Sequence, residues 1–430
     1  MRWWALFRTP LLSHYIRLAL RTNPDLAAAR ATRARADALV DVAAAGLFPQ
    51  VTAEATAARA RALRAGANGG RAYRIPGDLY SLVLGAIRIR YRPDLFGQAT
   101  DQVRSAKARR TVSAAWLRMT EVFLEASVAR AVIQAADTEE QCRAAQRIAT
   151  DDQSLLDLLR AEYRLGASDL EEVRQQQALT ARAKAAVPPL RAQLAASRHA
   201  LADLLGEYPN QTLRLPTLAA MRLPARLPTA IPSALLEQRP DIIAARAEIQ
   251  AARANVDLAA ANRFPQLQIT AAFGKAAQSG NLFFNPLSTL WSLGAGVLAP
   301  IYDGGALAAR ERAAVAQYRI AGDRYRATVL EAFEQVADAL RALHSDERTY
   351  EESRIAESAA TQALRLAHGR YRDGSIAYSS VLDAEIAAQR DTQAAIEANS
   401  RRYLDAVALF LALGEGWSEA QGGANGGARS

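Results

Sequence analysis

Hydrophobic positions change period along the chain and mark out its elements. Residues 11 to 45 read as helix, with Leu11, Tyr15, Leu18 and Leu26 set among alanines. Pro49 ends that pattern, because proline lacks an N–H and disfavours helical backbone in the residue before it. The period then falls to two. Val51, Ala53, Ala55 and Ala57 alternate with Thr52, Glu54 and Thr56. A glycine-rich stretch, Gly66 to Gly70, reads as a loop. Alternation resumes with Val83, Gly85, Ile87, Ile89 and Tyr91 on one face and Arg88 and Arg90 on the other. This predicts a β-hairpin with a long loop.

The second half repeats the pattern. Leu267, Ile269, Ala271 and Phe273 alternate with Gln268, Thr270 and Ala272. After a loop holding Gly280-Asn281 and Asn285-Pro286, Trp291, Leu293, Ala295 and Val297 alternate with Ser292, Gly294 and Gly296. Behind each hairpin the helical text is very long, from about Gln98 to Tyr163 without proline or glycine, and again, without proline, from about Ala306 to Tyr371. Sixty-odd helical residues span on the order of 90 Å, far above the globular norm, and argue for coiled-coil or tube architecture. Pro188-Pro189 is expected to break the return helix of the first half.

The two halves are a tandem duplication. Asn23-Pro24-Asp25 to Phe48-Pro49-Gln50 aligns without a gap on Arg239-Pro240-Asp241 to Phe264-Pro265-Gln266, with about sixteen identities. Alanine-rich helices could share alanines by chance, but not Pro-Asp, Val-Asp and Phe-Pro-Gln at fixed spacing. Tyr163-Arg164-Leu165-Gly166 returns as Tyr371-Arg372-Asp373-Gly374. The predicted organisation has five parts. An N-terminal segment covers 1–22. A first repeat covers 23–206, with its hairpin at about 50–91 and long helices at about 98–206. A proline-rich linker covers 207–232. A second repeat covers 233–414, with its hairpin at about 266–299 and long helices at about 305–414. A glycine-rich tail at 415–430 is expected to be disordered.

Four strands cannot close a barrel, which needs about eight or more. Open strand edges are costly in lipid and invite aggregation in water. Either the hairpins cover a small soluble core, or several chains pool their strands into one membrane barrel.

Composition narrows the chemistry. The chain has 430 residues and a net charge of +9, but its arginines are interleaved with Asp and Glu in helical text. They read as solvated helix faces, and no nucleic-acid-binding signature accompanies them. Cys142 is the single cysteine and His14, His199, His344 and His368 are widely spaced. No metal-ligand spacing or nucleophile–base motif occurs. Asp303-Gly304-Gly305 resembles a fragment of a phosphate loop, but no Gly-Lys-Ser/Thr follows, so a strand-to-helix turn is the better reading. No apolar run is long enough for a transmembrane helix, and Met1 to Arg8 is not a signal peptide.

The ordered motifs resemble the outer membrane factors of bacterial tripartite efflux systems, the TolC-like proteins, and within them the lipoprotein branch serving resistance-nodulation-division pumps. The residues that carry the resemblance are Trp3-Trp4 with Phe7, Asn23-Pro24-Asp25-Leu26, Phe48-Pro49-Gln50 and Tyr91-Arg92-Pro93-Asp94-Leu95-Phe96-Gly97. In the second half they are Pro232-Ser233, Arg239-Pro240-Asp241, Phe264-Pro265, Ala299-Pro300-Ile301-Tyr302-Asp303-Gly304-Gly305 and Leu413-Gly414-Glu415-Gly416-Trp417. The resemblance implies a mainly helical protomer with a small β part. Three copies give four strands each to a twelve-stranded outer-membrane barrel, long helices form a tunnel through the periplasm, and residues 1–22 belong to a belt around its middle. It implies a homotrimer in the lipid bilayer, with a periplasmic adaptor and an inner-membrane resistance-nodulation-division transporter as partners. It implies no enzyme activity, cofactor or nucleic acid. Members carry a signal peptide, and the lipoprotein branch an acylated cysteine. Here the Trp-Trp motif stands at residues 3 and 4, so the export segment is expected upstream of the sequence as written.

The resemblance also supplies site residues. The turns at Tyr163–Gly166 and Tyr371–Gly374 correspond to the periplasmic tip, where the adaptor docks and the tunnel narrows; the plainer alternative is that both glycines only cap helices. The family's aspartate ring maps onto Asp383 and Ser380, a basic partner found in some members falls on Ile376, and Glu172 is the corresponding acid of the first half. Asp94 with Gly97, and Asp303 with Gly304 and Gly305, form the strand-to-helix turns. Tyr80, Phe283, Phe284 and Trp291 are candidates for aromatic girdles at the lipid interface, or for ordinary packing. The leading expectation is a passive exit duct of an efflux pump. The alternatives are a cytoplasmic coiled-coil scaffold or basic nucleic-acid-binding protein, or, within the family, a channel for protein secretion or metal efflux.

Overall fold

A computed structural model describes residues 3–68, 71–209, 213–223, 238–278 and 280–414, with the backbone alone between 62 and 80. Its helices are α1 (Pro10–Thr22), α2 (Pro24–Ala45), α3 (Gln98–Arg164), α4 (Leu170–Leu204), α5 (Pro240–Ala261), α6 (Ala306–Arg372) and α7 (Tyr378–Leu413). The strands are β1 (Gln50–Asn68), β2 (Arg71–Tyr91), β3 (Gln266–Ala277) and β4 (Thr289–Leu298). The chain divides into two compact units, one of Met1–Thr32, Ala114–Ala244 and Arg326–Ser430, the other of Arg33–Ser113 and Ala245–Tyr325. Each unit draws on both sequence repeats.

The second unit holds the sheet. Its strands are antiparallel in the order β1-β2-β3-β4. The register places one parity of residue on one face through all four strands. Val51 pairs with Ile89 and Ala53 with Ile87; Ile87 pairs with Phe273 and Tyr91 with Ile269; Phe273 pairs with Trp291 and Ala271 with Leu293. That face is apolar and open, with Trp291 75% and Leu293 71% exposed. The opposite face carries Thr52, Glu54, Arg88, Arg90, Gln268, Thr270 and Ser292. There Arg88 Nε meets Glu54 Oε2 at 2.9 Å. No described helix is long and apolar enough to cross a membrane.

Several expectations need correcting. Gly66 to Asn68 belong to β1, paired in register up to Asn68 with Arg71. The glycines did not end the strand because the ladder needs only backbone groups, and β2 supplies their partners. The helix expected over 11–45 is two helices. Asn23 adopts an extended backbone, and its Oδ1 accepts the Leu26 N–H at 3.0 Å, capping α2 where Pro24 opens it. Ahead of Pro49, α2 stops at Ala45 and tightens through i→i−3 bonds from Gly46, Leu47 and Phe48. Pro188 and Pro189 do not break α4 but lie inside it. Both are exposed, as are Lys184 and Ala185, whose carbonyls lose their helical donors, so water can satisfy those groups.

In the first unit the N-terminal aromatics are buried. Trp3 stacks on Phe410 at 5.2 Å and its Nε1 donates to Glu125 at 3.2 Å. The described part of the linker is packed, with Leu218 fully buried and the Tyr403 hydroxyl donating to the carbonyl of Met221 at 3.0 Å. The rest of the linker, Pro232-Ser233 and the tail at 415–430 lie outside the described residues.

The sheet generates a prediction. Arginine at Ile87, on the apolar face, should cost about 2–4 kcal/mol if that face meets lipid near the bilayer midplane. Arginine at Thr56, on the polar face, should cost far less. Denaturant titration in lipid vesicles measures the difference, and equal costs would reverse the assignment of the faces.

Candidate functional site

The strand-to-helix turns are built by carboxylates that receive backbone N–H groups. Asp94 accepts from Ala99 N–H at 3.1 Å, Thr100 N–H at 2.8 Å and Thr100 Oγ1 at 2.6 Å. Partial burial alone would raise its pKa, but the Thr100 bonds and those from nearby backbone amides lower it overall. Asp303 accepts from Leu307 N–H at 2.6 Å and Gly305 N–H at 2.9 Å. The Leu307 amide leads in lowering its pKa. Gly97, Gly304 and Gly305 have φ of 84°, 65° and 85°, which L side chains rarely adopt.

The tip turns are alike in both halves. The Gly166 N–H bonds the Tyr163 carbonyl at 3.0 Å and the Ala167 N–H bonds that of Glu162 at 2.9 Å. In the second half Gly374 bonds Tyr371 and Ser375 bonds Arg370, each at 2.9 Å. These are the paired bonds of a Schellman cap, and both glycines are left-handed, with φ of 72° and 69°. A Cβ on either would meet nothing within 4 Å, so the backbone alone demands glycine. At the first tip Leu165 is 84% exposed. At the second, the corresponding Asp373 is exposed too.

The two turns belong to one cluster. Leu156, Leu159, Val173, Tyr378 and Val381 are buried together, and Tyr371 and Ile376 pack against them. The Tyr371 hydroxyl donates to Glu172 Oε2 at 2.8 Å, and Ser168 Oγ donates to the same oxygen at 2.8 Å. Burial and the Glu172 carboxylate raise the Tyr371 pKa, so the phenol keeps its proton. Glu172 is half-buried, whereas Asp383 and Ser380 are exposed. The gate candidates therefore divide: Glu172 ties α4 to the end of α6, and Asp383 and Ser380 lie exposed on α7.

Glu385 follows Asp383 by two residues and is not among the site candidates that the sequence supplied. In the structure it faces Asp152 of α3, carboxyl against carboxyl. Around them the Tyr378 hydroxyl donates to Gln176 Oε1 at 2.6 Å, and Gln176 Nε2 and Thr180 Oγ1 donate to the Asp152 carbonyl at 3.2 and 3.0 Å. The signal was available: Val381, Glu385 and Ala388 share a buried stripe at helical spacing, so the acid stands at a core position.

Of the girdle candidates, Phe283 lies over Gly85, where a Cβ would come within 2.9 Å of its ring. Phe284 and Trp291 are 79% and 75% exposed. The Tyr80 side chain lies outside the described residues. Among the described residues no group of His, Cys, Asp and Glu could hold a metal ion.

A sheet with one apolar face and one polar face, joined to paired long helices that end in capped turns, defines a membrane channel protomer of mixed α and β structure. The chain belongs to the outer membrane efflux protein family, whose model matches residues 15–207 and 231–415. It is 33% identical over 428 residues to the pyoverdine export outer membrane protein OpmQ of Pseudomonas putida, covering 97% of this chain and 88% of that one. It is 25% identical over 332 residues to the cation efflux system protein CusC of Escherichia coli, covering 76% and 71%. Among solved structures, the outer-membrane channel OprN matches with a TM-score of 0.87 at 28% identity, over 96% of this chain and 92% of that one. The protein is an outer-membrane efflux duct reaching into the periplasm, without enzyme activity. It works as a trimer with a periplasmic adaptor and an inner-membrane resistance-nodulation-division transporter. The cytoplasmic scaffold and nucleic-acid readings fall away.

The caps yield a prediction. Asp94→Ala should destabilise the protein by about 1 kcal/mol. A lowered aspartate pKa contributes stability that is fully present above the unfolded value and lost as pH falls through the folded one. The difference between wild type and Asp94→Ala should therefore shrink below about pH 4 in denaturant titrations. A difference independent of pH would remove the carboxylate from the cap.

Proposed function

We propose that the helical tip is the gate of this duct and that the Tyr371–Glu172 hydrogen bond holds it shut. The observation that carries this reading is the bond itself, 2.8 Å long. It joins residues 199 apart in sequence, one from each half, at the turn ends of α6 and α4. Passage at the tip requires those helix ends to part, and the bond opposes it. A partly buried hydrogen bond to a charged acceptor contributes about 1.5–3 kcal/mol, enough to bias the tip without locking it.

Asp383 is the charge at the gate. It is exposed within one chain, and three-fold repetition would set three such carboxylates around the passage, where they would favour cations. Ser380 adds no charge. Ile376, half-buried against the tip cluster, closes by packing where some relatives use a basic residue. The exposed Leu165 and Tyr163 of the first turn, with the polar second turn, make the surface offered to the adaptor. One relative is named for pyoverdine export and another for cation efflux, while both align with this chain. Cargo choice on this reading lies with the pump, and the duct accepts small solutes broadly.

Two recordings test the gate. In planar bilayers, Tyr371→Phe should raise mean conductance by relieving the closing bond. Asp383→Ala should weaken block by multivalent cations and raise conductance, whereas Asp338→Ala, at mid-helix, should do neither. Unchanged block in the Asp383 variant would leave that acid a mere helix-end charge. Unchanged conductance in Tyr371→Phe would place the constriction elsewhere.

A further inference from the structure

The pair of Asp152 on α3 and Glu385 on α7 has no part in the gate described above. Asp152 is 0% and Glu385 8% exposed. Both Asp152 carboxyl oxygens and Glu385 Oε2 are buried without a donor among the described residues, yet the two carboxyls face each other. Two buried carboxylates in contact repel and leave acceptors unsatisfied, at a cost of several kcal/mol. One proton removes both faults: it cancels one charge and supplies the missing donor.

We propose that Asp152 and Glu385 form a proton-binding site that latches the tip closed when occupied and loosens it when the proton leaves. The inference rests on reading this end of the helices as the gate, but the latch is a local property of the helices that carry it. Charged and titratable groups on four helices surround the pair or stand near it. On α3, Asp151 adds negative charge. On α4, Gln176 and Thr180 are committed to the Asp152 backbone carbonyl, Glu172 to Tyr371, and Lys184 to Gln153 on the exposed side. On α6 stand Tyr371 and His368, whose pKa is lowered by burial and by Arg372. On α7, Tyr378 donates to Gln176 and is held protonated by burial and by Glu385. The charges that act on the pair are acidic, so a proton is the occupant the site favours. Burial first, then Asp152, pushes Glu385 up to about 8, and burial raises Asp152 as well.

The sign follows from linkage. Between the ordinary glutamate value of about 4.3 and about 8, the closed tip binds a proton that the parted helices release to water. Closure is therefore strongest at low pH and weakens as pH rises through that window, by up to about tenfold in the opening equilibrium per pH unit for one linked proton.

Hydrogen exchange on the full-length protein in detergent reads this without requiring conduction. Protection factors of the α7 amides near Glu385, corrected for intrinsic exchange, should fall steeply between about pH 5 and 8. Glu385→Gln matches the side chain in shape, stays neutral and can donate to Asp152. It should keep the tip protected and flatten the profile above about pH 6, as should Asp152→Asn. His368→Gln should retain the wild-type slope. The latch is wrong if Glu385→Gln keeps the wild-type pH dependence, or if the wild type shows none. If protection titrates as expected but Tyr371→Phe leaves conductance unchanged, the proton site stands and the gate assignment fails. Asp405, beside Asp346 in the same unit, is raised only to about 6, so the position of the transition separates that pair from this one.

Discussion

The outer edges of the four-stranded sheet set the terms for everything else in this protein. Strands β1 and β4 each pair on one side only among the described residues. Their other sides hold rows of N–H and C=O groups that no bilayer can satisfy, at several kcal/mol for each unpaired group. Beside those edges runs an apolar face from Val51 to Trp291 that water does not tolerate as a continuous patch. Both demands are met together when β4 of one copy pairs with β1 of the next and three copies close twelve strands. The trimer is thus a condition for the sheet to exist in a membrane.

Closure also explains which residues the strands use. Once the sheet is a barrel, one face must be lipid-compatible along every strand, and a single-residue slip would invert it. The register avoids that conflict across all three pairings. Gly274 marks how tightly β2 and β3 approach, since a Cβ there would overlap the Gly85 carbonyl. Charge is kept to the polar face, where Arg88 and Glu54 pair at 2.9 Å, and to the ends of the apolar band, where Lys275 stands opposite Thr289.

Much of this was legible in the sequence because period and breaks are local properties. The alternation of Val83 to Tyr91, the proline-free run after Gln98 and the two Tyr-x-x-Gly turns announce strand, long helix and reversal without reference to any partner. Other features were not legible because they depend on contacts far along the chain. The Tyr371–Glu172 bond joins two repeats, and nothing near either residue signals it. Asp152 reads as one acid among several polar neighbours, and only the packing of α3 against α7 shows that it is buried against another acid. Proline rules misjudged α4, because they count the hydrogen bonds lost at Pro188 and Pro189 but not whether water reaches the freed carbonyls. Glycine rules misjudged β1, because a paired backbone tolerates residues that an isolated strand would not.

The duplication shows what the fold requires and what it leaves free. In both halves a glycine ends the last helix in left-handed geometry, Gly206 at φ 68° and Gly414 at φ 59°, with the start of that half's first helix pressed against it. A Cβ on Gly206 would lie 2.7 Å from the Thr22 carbonyl oxygen, and one on Gly414 would lie 2.8 Å from Arg239 Cγ. The exposed carbonyls of the helix end must still find donors. In the first half Asn23 Nδ2 donates to Leu204 at 3.1 Å and Thr22 Oγ1 to Leu205 at 2.6 Å. In the second half Arg239 stands at the position of Asn23, and its Nη1 donates to Ala412 at 2.6 Å. The arginine is 3% exposed and brings a charge that Asn23 does not. Asp241 answers that charge at 2.7 Å, and Gln335 accepts a further bond at 2.9 Å. The geometry of the helix end is kept in both copies, while the chemistry that satisfies it has diverged with its local partners. The same division holds at the tip, where both turns keep glycine and tyrosine but one ends in Leu165 and the other in Asp373. Where a backbone conformation is compulsory the two halves agree. Where a side chain need only find some partner they differ, and those differences give a duplicated chain two unlike ends to present to its neighbours.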